Sequence, residues 1–235
     1  MLGYSDNVLV VIGSGPGIGN HTAGLFAEHR FNKVALLARN TNRLLQDKEA
    51  VEEAGKVTNR RVEVKTWSVD VSDTTKLKQI LGEVQQFGQI EIVFFNAARV
   101  IPSEFFGHPE SEIRVDFEIT IMALYAVAGW AWAPLKYLAA KDPETHPSII
   151  VTNSHLWNEP AAEIFALSLT KAAQHNMVRS LAQLGQKDGI HVALLSPCGV
   201  VSPEHPTRNP KNIASKAWDL YLETRNHWKI DSRIL

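Results

Sequence analysis

A chain of 235 residues, 45% hydrophobic and 21% charged, is long enough to bury a full core, and α/β folds of this length are often one domain. Its formal net charge of −1, with no long basic or acidic run, argues against nucleic acid as the main partner. The lone cysteine, Cys198, excludes an internal disulfide and fits a reducing, cytoplasmic compartment.

The first apolar run, Val8 to Ile12, is short and lacks a basic leader or cleavage site, so it reads as a strand rather than a signal peptide. Beyond it, short β-branched runs alternate with helical patterns, the mark of a parallel sheet with helices on both faces. Strands are expected near 8–13, 33–38, 61–66, 91–95, 148–153, 190–195 and 227–233. Helices are expected at about 17–29, 41–54, 73–87, 111–139, 162–186 and 210–225. The apolar stretch Ile119 to Leu138 reads as a buried helix rather than a bilayer span, so no membrane partner is expected. There is no repeat, and 1–235 is treated as a single domain with a substrate loop and helix at 200–225. The Pro-rich stretch Ser202 to Pro210 follows a strand's carboxyl end, where open α/β sheets bind ligands; it is either a substrate lid or a plain surface connection.

The strand Val8 to Ile12 runs into Gly13-Ser14-Gly15-Pro16-Gly17-Ile18-Gly19, a glycine-rich turn ahead of an amphipathic run. A buried strand, such a turn and a helix together hold a dinucleotide pyrophosphate. In that reading Gly13 permits the tight turn, bare positions at Gly15 or Gly17 let backbone amides approach the phosphates, and Gly19 lets the helix pack on the strand.

Across nearly the whole chain the residues resemble the short-chain dehydrogenase/reductases, whose glycine spacing is matched by Gly13-x3-Gly17-x-Gly19. Asp70-Val71, after the third strand, resembles the acidic position that caps the adenine amino group. Asn96-Ala97-Ala98, after the fourth, resembles the family's Asn-Ala-Gly, and Pro197-Cys198-Gly199 with Ser202 resembles the segment closing over the nicotinamide. The resemblance implies a Rossmann-like, doubly wound sheet of about seven strands, a small-molecule substrate, no metal, and a homodimer or homotetramer formed through the two long helices. The helix after the fourth strand supports that last expectation, since Leu124, Val127, Ala128, Trp130, Ala131 and Leu135 exceed what one sheet-facing side requires. The family's usual Asp-Gly-Gly near the end is not matched before Leu235.

At the end of the second strand, Ala38 stands where NAD-preferring relatives carry aspartate, and Arg39 offers a guanidinium for a 2′-phosphate. NADP(H) is favoured over NAD(H). The alternative is that Arg39 is a solvated arginine and both cofactors bind.

The active-site positions depart from the family pattern. Lys171 takes the lysine's place, expected to hydrogen-bond the nicotinamide ribose, and Ser154 takes the serine's. The tyrosine position, four residues before the lysine, is Leu167, and the helix asparagine is Thr120; no tyrosine lies within a plausible slip of Lys171. Losing a positioned general acid removes about 10²–10⁴-fold without forbidding hydride transfer. His155 is the first substitute donor, against a solvated or packing histidine, with Glu159 and Glu163 weaker; Trp157 is either a substrate wall or a core residue. Three readings remain: an NADP(H)-dependent reductase, a non-redox isomerase or cyclase on the same fold, and a non-catalytic nucleotide-binding protein.

Overall fold

β-Branched and aromatic residues with no exposure at all form the inner strands, and polar caps set where the helices begin. In the computed structural model, which describes residues 3–235, the order is β1 (Ser5–Ile12), α1 (Ile18–His29), β2 (Phe31–Ala38), α2 (Thr41–Lys56), β3 (Glu63–Ser68), α3 (Thr74–Gln85) and β4 (Ile90–Phe95). The second half runs α4 (Glu110–Phe117), a π turn (Glu118–Met122), α5 (Ala123–Lys141), β5 (Ser148–Thr152), α6 (Phe165–Asp188), β6 (His191–Pro197), α7 (Pro210–Tyr221) and β7 (Asp231–Ile234). Asn40, Asp73 and Asn209 each accept a backbone N–H from the first turn of the helix they precede, fixing the starts of α2, α3 and α7.

All seven strands pair in parallel in the order β3-β2-β1-β4-β5-β6-β7, the doubly wound α/β sheet expected. Successive side chains point to opposite faces, which divides the core in two. On one face Leu77, Leu81, Leu124, Val127 and Val178, from α3, α5 and α6, cover the sheet. On the other, Phe26, Leu44, Ile213 and Leu220, from α1, α2 and α7, do the same. The chain reverses direction across the sheet between β1 and β4, and a crevice opens there at their carboxyl ends.

Several boundaries differ from the sequence expectation, among them the early start of β1 at Ser5 and the end of α7 at Tyr221 rather than 225. The long helix at 111–139 is interrupted at Glu118–Met122, where one wider turn carries Thr120 into the core. The helix expected from 162 begins at Phe165, because Ile164 bridges to Ser103 instead. The third strand lies at Glu63–Ser68, two residues later than expected. The last strand begins only at Asp231, since Arg225–His227 form a short 3₁₀ turn and Trp228 stacks flat on His191 at 5.0 Å. Glu110–Lys141 is long and apolar enough to cross a membrane by composition, but Leu124, Val127, Ala131 and Leu135 within it have no exposure and pack in the core.

Candidate functional site

The crevice between β1 and β4 holds a cleft of about 330 Å³, with Gly13, Ser14, Gly15, Arg39, Asp70 and Asn96 among its walls. Gly13 has φ +88°, and a Cβ there would sit 2.7 Å from the Ala97 nitrogen. At Gly19 a Cβ would lie 2.6 Å from the Gly13 carbonyl oxygen, so this position sets how closely α1 approaches the turn. Gly15 and Gly17 differ: a Cβ at either would meet no protein atom within 4 Å, so their bareness serves no internal packing. No side chain caps α1 at Gly17 and its first turn carries no acid, which leaves the positive end of the helix unneutralised by the protein itself. Turn, helix end and open glycine positions fit a dinucleotide's phosphates.

The amide of Asn96 closes the turn by donating from Nδ2 to the Gly13 carbonyl at 3.0 Å, while its own N–H donates to Ile12 O. Ala97, Ala98 and Val71 complete that wall. Behind them Arg99 donates to Asp116 at 2.7 Å and to Glu112 at 2.5 Å, fastening the segment after β4 to α4; these bonds, the Asp116 bond foremost, hold the guanidinium charged. At Asp70 burial works to raise the carboxyl, but two hydrogen bonds from Ser72 and the charge of Arg39 together hold it below its ordinary value.

At the end of β2 the cleft is flanked by two cations, not one. Arg39 is joined by Arg43, from the first turn of α2. The Arg43 Nε donates to Asp47 Oδ1 at 2.8 Å, and Ser14 Oγ donates to Asp47 Oδ2 at 2.7 Å, with Asp47 wholly buried. Sequence reasoning missed both residues, because an arginine and an aspartate four apart on a helix read as an ordinary surface pair.

The second part of the expected site lies at the end of β5. Ser154 Oγ accepts the Leu156 N–H at 3.2 Å, which leaves its own O–H available to donate. The loop is tied to α6 through Asn153, whose Nδ2 donates to the Lys171 carbonyl at 3.2 Å and whose Oδ1 accepts the Ser154 N–H. Leu167 lies one turn before Lys171 and is buried. Lys171 was expected to project toward a ribose; its ammonium group instead turns inward. Nζ donates to Thr152 O at 2.8 Å and to Gln174 Oε1 at 3.0 Å, and Gln174 Nε2 in turn reaches Thr120 O in the π turn at 3.5 Å. Burial pushes the Lys171 pKa down to about 7. Gln174 is fully buried, and nothing in the helical pattern marked it.

His155 is half-buried, with Nδ1 enclosed and without a hydrogen-bond partner. Trp157 does not stand free as a wall: its ring stacks on His175 at 3.7 Å and 7°. Pro197 closes β6, and Gly199, at φ +146°, lies against the Arg208 side chain, 2.9 Å from Nε to a Cβ built there. The Pro-rich stretch is ordered around His205, whose Nδ1 accepts the Arg208 N–H at 2.9 Å. The structure therefore gathers Gly13, Ser14, Gly15, Arg39, Asp70, Val71, Asn96 and Ala97 about one cleft, while Gly17, Ile18 and Gly19 begin α1 behind it and do not line it. Among the described residues, Ser154, His155, Lys171, Pro197 and Gly199 do not line that cleft.

Comparison with known proteins bears on the family and the fold. The chain is 26% identical over 189 residues to 3-dehydrosphinganine reductase TSC10B of Arabidopsis thaliana, a match covering 79% of this chain and 54% of the plant protein. Its fold is similar to the crystal structure of L-sorbose reductase from Gluconobacter frateurii complexed with NADPH and L-sorbose, with a TM-score of 0.85 at 21% identity over 99% of this chain and 95% of that one. It is also similar to an NADH-dependent reductase, A1-R', complexed with NAD, with a TM-score of 0.79 at 19% identity over 94% and 89% of the two chains. Residues 7–212 match the family model described as short chain dehydrogenase, and the chain belongs to that family.

Proposed function

We propose that the protein binds NADP(H) at this cleft and transfers hydride between it and a small carbonyl, imine or iminium substrate, without the family's tyrosine acid. The observation that carries the cofactor reading is the pair Arg39 and Arg43 beside Ala38, where an acid would repel a 2′-phosphate. The NADPH complex of the sorbose reductase supports it by analogy, and the NAD complex of the other neighbour is the counterweight. When bound, the reduced nicotinamide supplies the hydride. Gly13 to Gly19 hold the pyrophosphate, Asp70 and Val71 the adenine, and Pro197 and Gly199 border the nicotinamide.

Ser154 offers its free O–H to the substrate oxygen. Leu167 supplies no proton, so a carbonyl substrate takes one from His155 or water, at the loss of about 10²–10⁴-fold that a positioned acid contributes. An iminium substrate needs none: the C–H bond forms, the π pair moves onto nitrogen, and a neutral amine leaves. The segment 200–225 faces the substrate in this reading, and a second copy of the chain covers the apolar face formed by α5 and α6.

One observation favours a second reading, a non-redox enzyme or a nucleotide-binding regulator. Lys171, the residue expected to hold the ribose, is engaged by Thr152 and Gln174.

The test is a fluorescence titration with NADPH, NADP⁺, NADH and NAD⁺, followed by NADPH oxidation against carbonyl and cyclic imine panels. Micromolar binding of the phosphorylated forms, weakened roughly 10–100-fold in Arg39→Ala while NADH is unaffected, is expected for a charge-assisted contact. Binding without oxidation of NADPH by any substrate would favour the second reading. No binding of any dinucleotide would remove the redox reading and the nucleotide-binding regulator, leaving a non-redox enzyme.

A further inference from the structure

We infer that Asp47 is a positioning residue that joins the phosphate turn to the recognition of the 2′-phosphate, with Arg43, aimed by it, as the second cation of that subsite. The inference rests on the NADP(H) reading above. An arginine and aspartate spaced i,i+4 on an exposed helix face contribute little and reorient freely. This pair is built otherwise. The Asp47 carboxylate has no exposure, while the Arg43 side chain keeps 34% of its own. A buried carboxylate must be satisfied, and here each oxygen has one donor: Ser14 from the glycine turn and Arg43 from the helix.

Two consequences follow from which hydrogens are engaged. Ser14 gives its hydroxyl proton to Asp47, so it fixes the turn rather than donating to a phosphate. Arg43 uses Nε on Asp47 and makes only a long Nη1 contact of 3.4 Å with Gln46, and no partner is seen for Nη2 among the described residues. A guanidinium anchored through Nε keeps its fork in one plane, which lowers the ordering cost of accepting an anion. Arg43 and Arg39 border the same cleft, Arg39 arriving from the end of β2 and Arg43 from the start of α2. Asp47 thus sets the turn and the second arginine at once.

Coulomb attraction and positioning make opposite predictions when Asp47 is removed. Deleting a negative charge near a phosphate site tightens NADPH if charge alone matters; loss of the anchor weakens it if aim matters. The experiment is calorimetric titration of the wild type, Asp47→Leu, Arg43→Met and Ser14→Ala with NADPH, NADH, 2′,5′-ADP and 5′-ADP. Asp47→Leu and Arg43→Met are each expected to weaken NADPH and 2′,5′-ADP roughly tenfold or more, with a smaller effect on NADH and 5′-ADP. Combining them should add little, because the two residues act as one unit. Ser14→Ala should weaken both dinucleotides alike.

Arg43 is partly exposed, so Arg43→Met keeps the question open to answer if Asp47→Leu fails to fold. An unchanged NADPH to NADH ratio in Arg43→Met, or a tightening of NADPH in folded Asp47→Leu, overturns the inference while leaving the cofactor reading intact. A wild type that binds neither dinucleotide, or prefers NADH, overturns the cofactor reading and this inference with it.

Discussion

At Lys171 the surroundings of one side chain set its chemistry. Both partners are acceptors, yet removal from water dominates and brings the pKa from 10.5 down to about 7. A folded-state pKa below the unfolded one means that the unfolded chain binds more protons between those values, so this group's contribution rises as pH rises from 7 toward 10. The Tm of the wild type minus that of Lys171→Met should therefore increase across that window, measured by thermal denaturation in matched buffers. A flat difference would mean that the ammonium form is fully accommodated by Thr152 and Gln174. That Ser154 follows β5 and that Leu167 lies one turn before Lys171 on a helix were legible in the sequence, because both follow from local runs. The direction of the lysine was not, because it depends on a strand carbonyl at Thr152 and on a buried amide a turn further along α6. Asp47 was hidden for a similar reason: its burial comes from the glycine turn packed above it, 33 positions away in sequence.

Among the elements, β4 carries an acid in an otherwise apolar strand, Ile90-Glu91-Ile92-Val93-Phe94-Phe95, and the fold supplies donors from four other segments to keep it there. Glu91 Oε1 accepts from Arg30 Nη2 at 2.9 Å, from the Tyr221 hydroxyl at 2.5 Å and from the His146 N–H at 3.1 Å; Oε2 accepts from Asn7 at 2.9 Å. Burial first, and then the charge of Glu91, push the Tyr221 phenol up, so it remains a donor. These bonds tie the amino end of β4 to β1, to the end of α1 and to the end of α7. Arg30→Met leaves the carboxylate without its charge partner and should destabilise the protein by roughly 3–5 kcal/mol in urea unfolding. Arg30→Met with Glu91→Leu should recover much of that loss. Strand and helix types were readable from the alternation of apolar patterns, whereas the caps Asn40 and Asp73 emerged only in the structure. The end of α7 and the start of β7 were not, because Trp228 is held by His191 and by the Glu223 carbonyl rather than by strand pairing.

The whole molecule follows from alternation of strand and helix, so its fold class was the most legible property of the sequence. What alternation could not show is which apolar side chains stay exposed. Met122, Tyr125 and Leu184 remain 44%, 67% and 51% exposed beside a groove of about 600 Å³ between α3, α5 and α6. For the proposed self-association through this face, Tyr125→Glu combined with Leu184→Glu should shift the light-scattering mass from oligomer to monomer at micromolar concentration, with helical content unchanged. A wild type that is monomeric under the same conditions would remove the proposal.

The hydrogen bond from Asn96 to the Gly13 carbonyl has a consequence in time as well as in space. It joins positions 83 residues apart, and the contact that fixes Gly13 comes from the same segment after β4. A chain emerging in order can form β1, α1 and β2 early, since those contacts are local, while the turn between β1 and α1 stays unclosed until β4 docks beside β1. Under the proposed NADP(H) reading, nucleotide therefore finds its pocket only after the sheet has grown past its midpoint. It can stabilise a finished molecule by mass action, but it cannot template or rescue a half-made one.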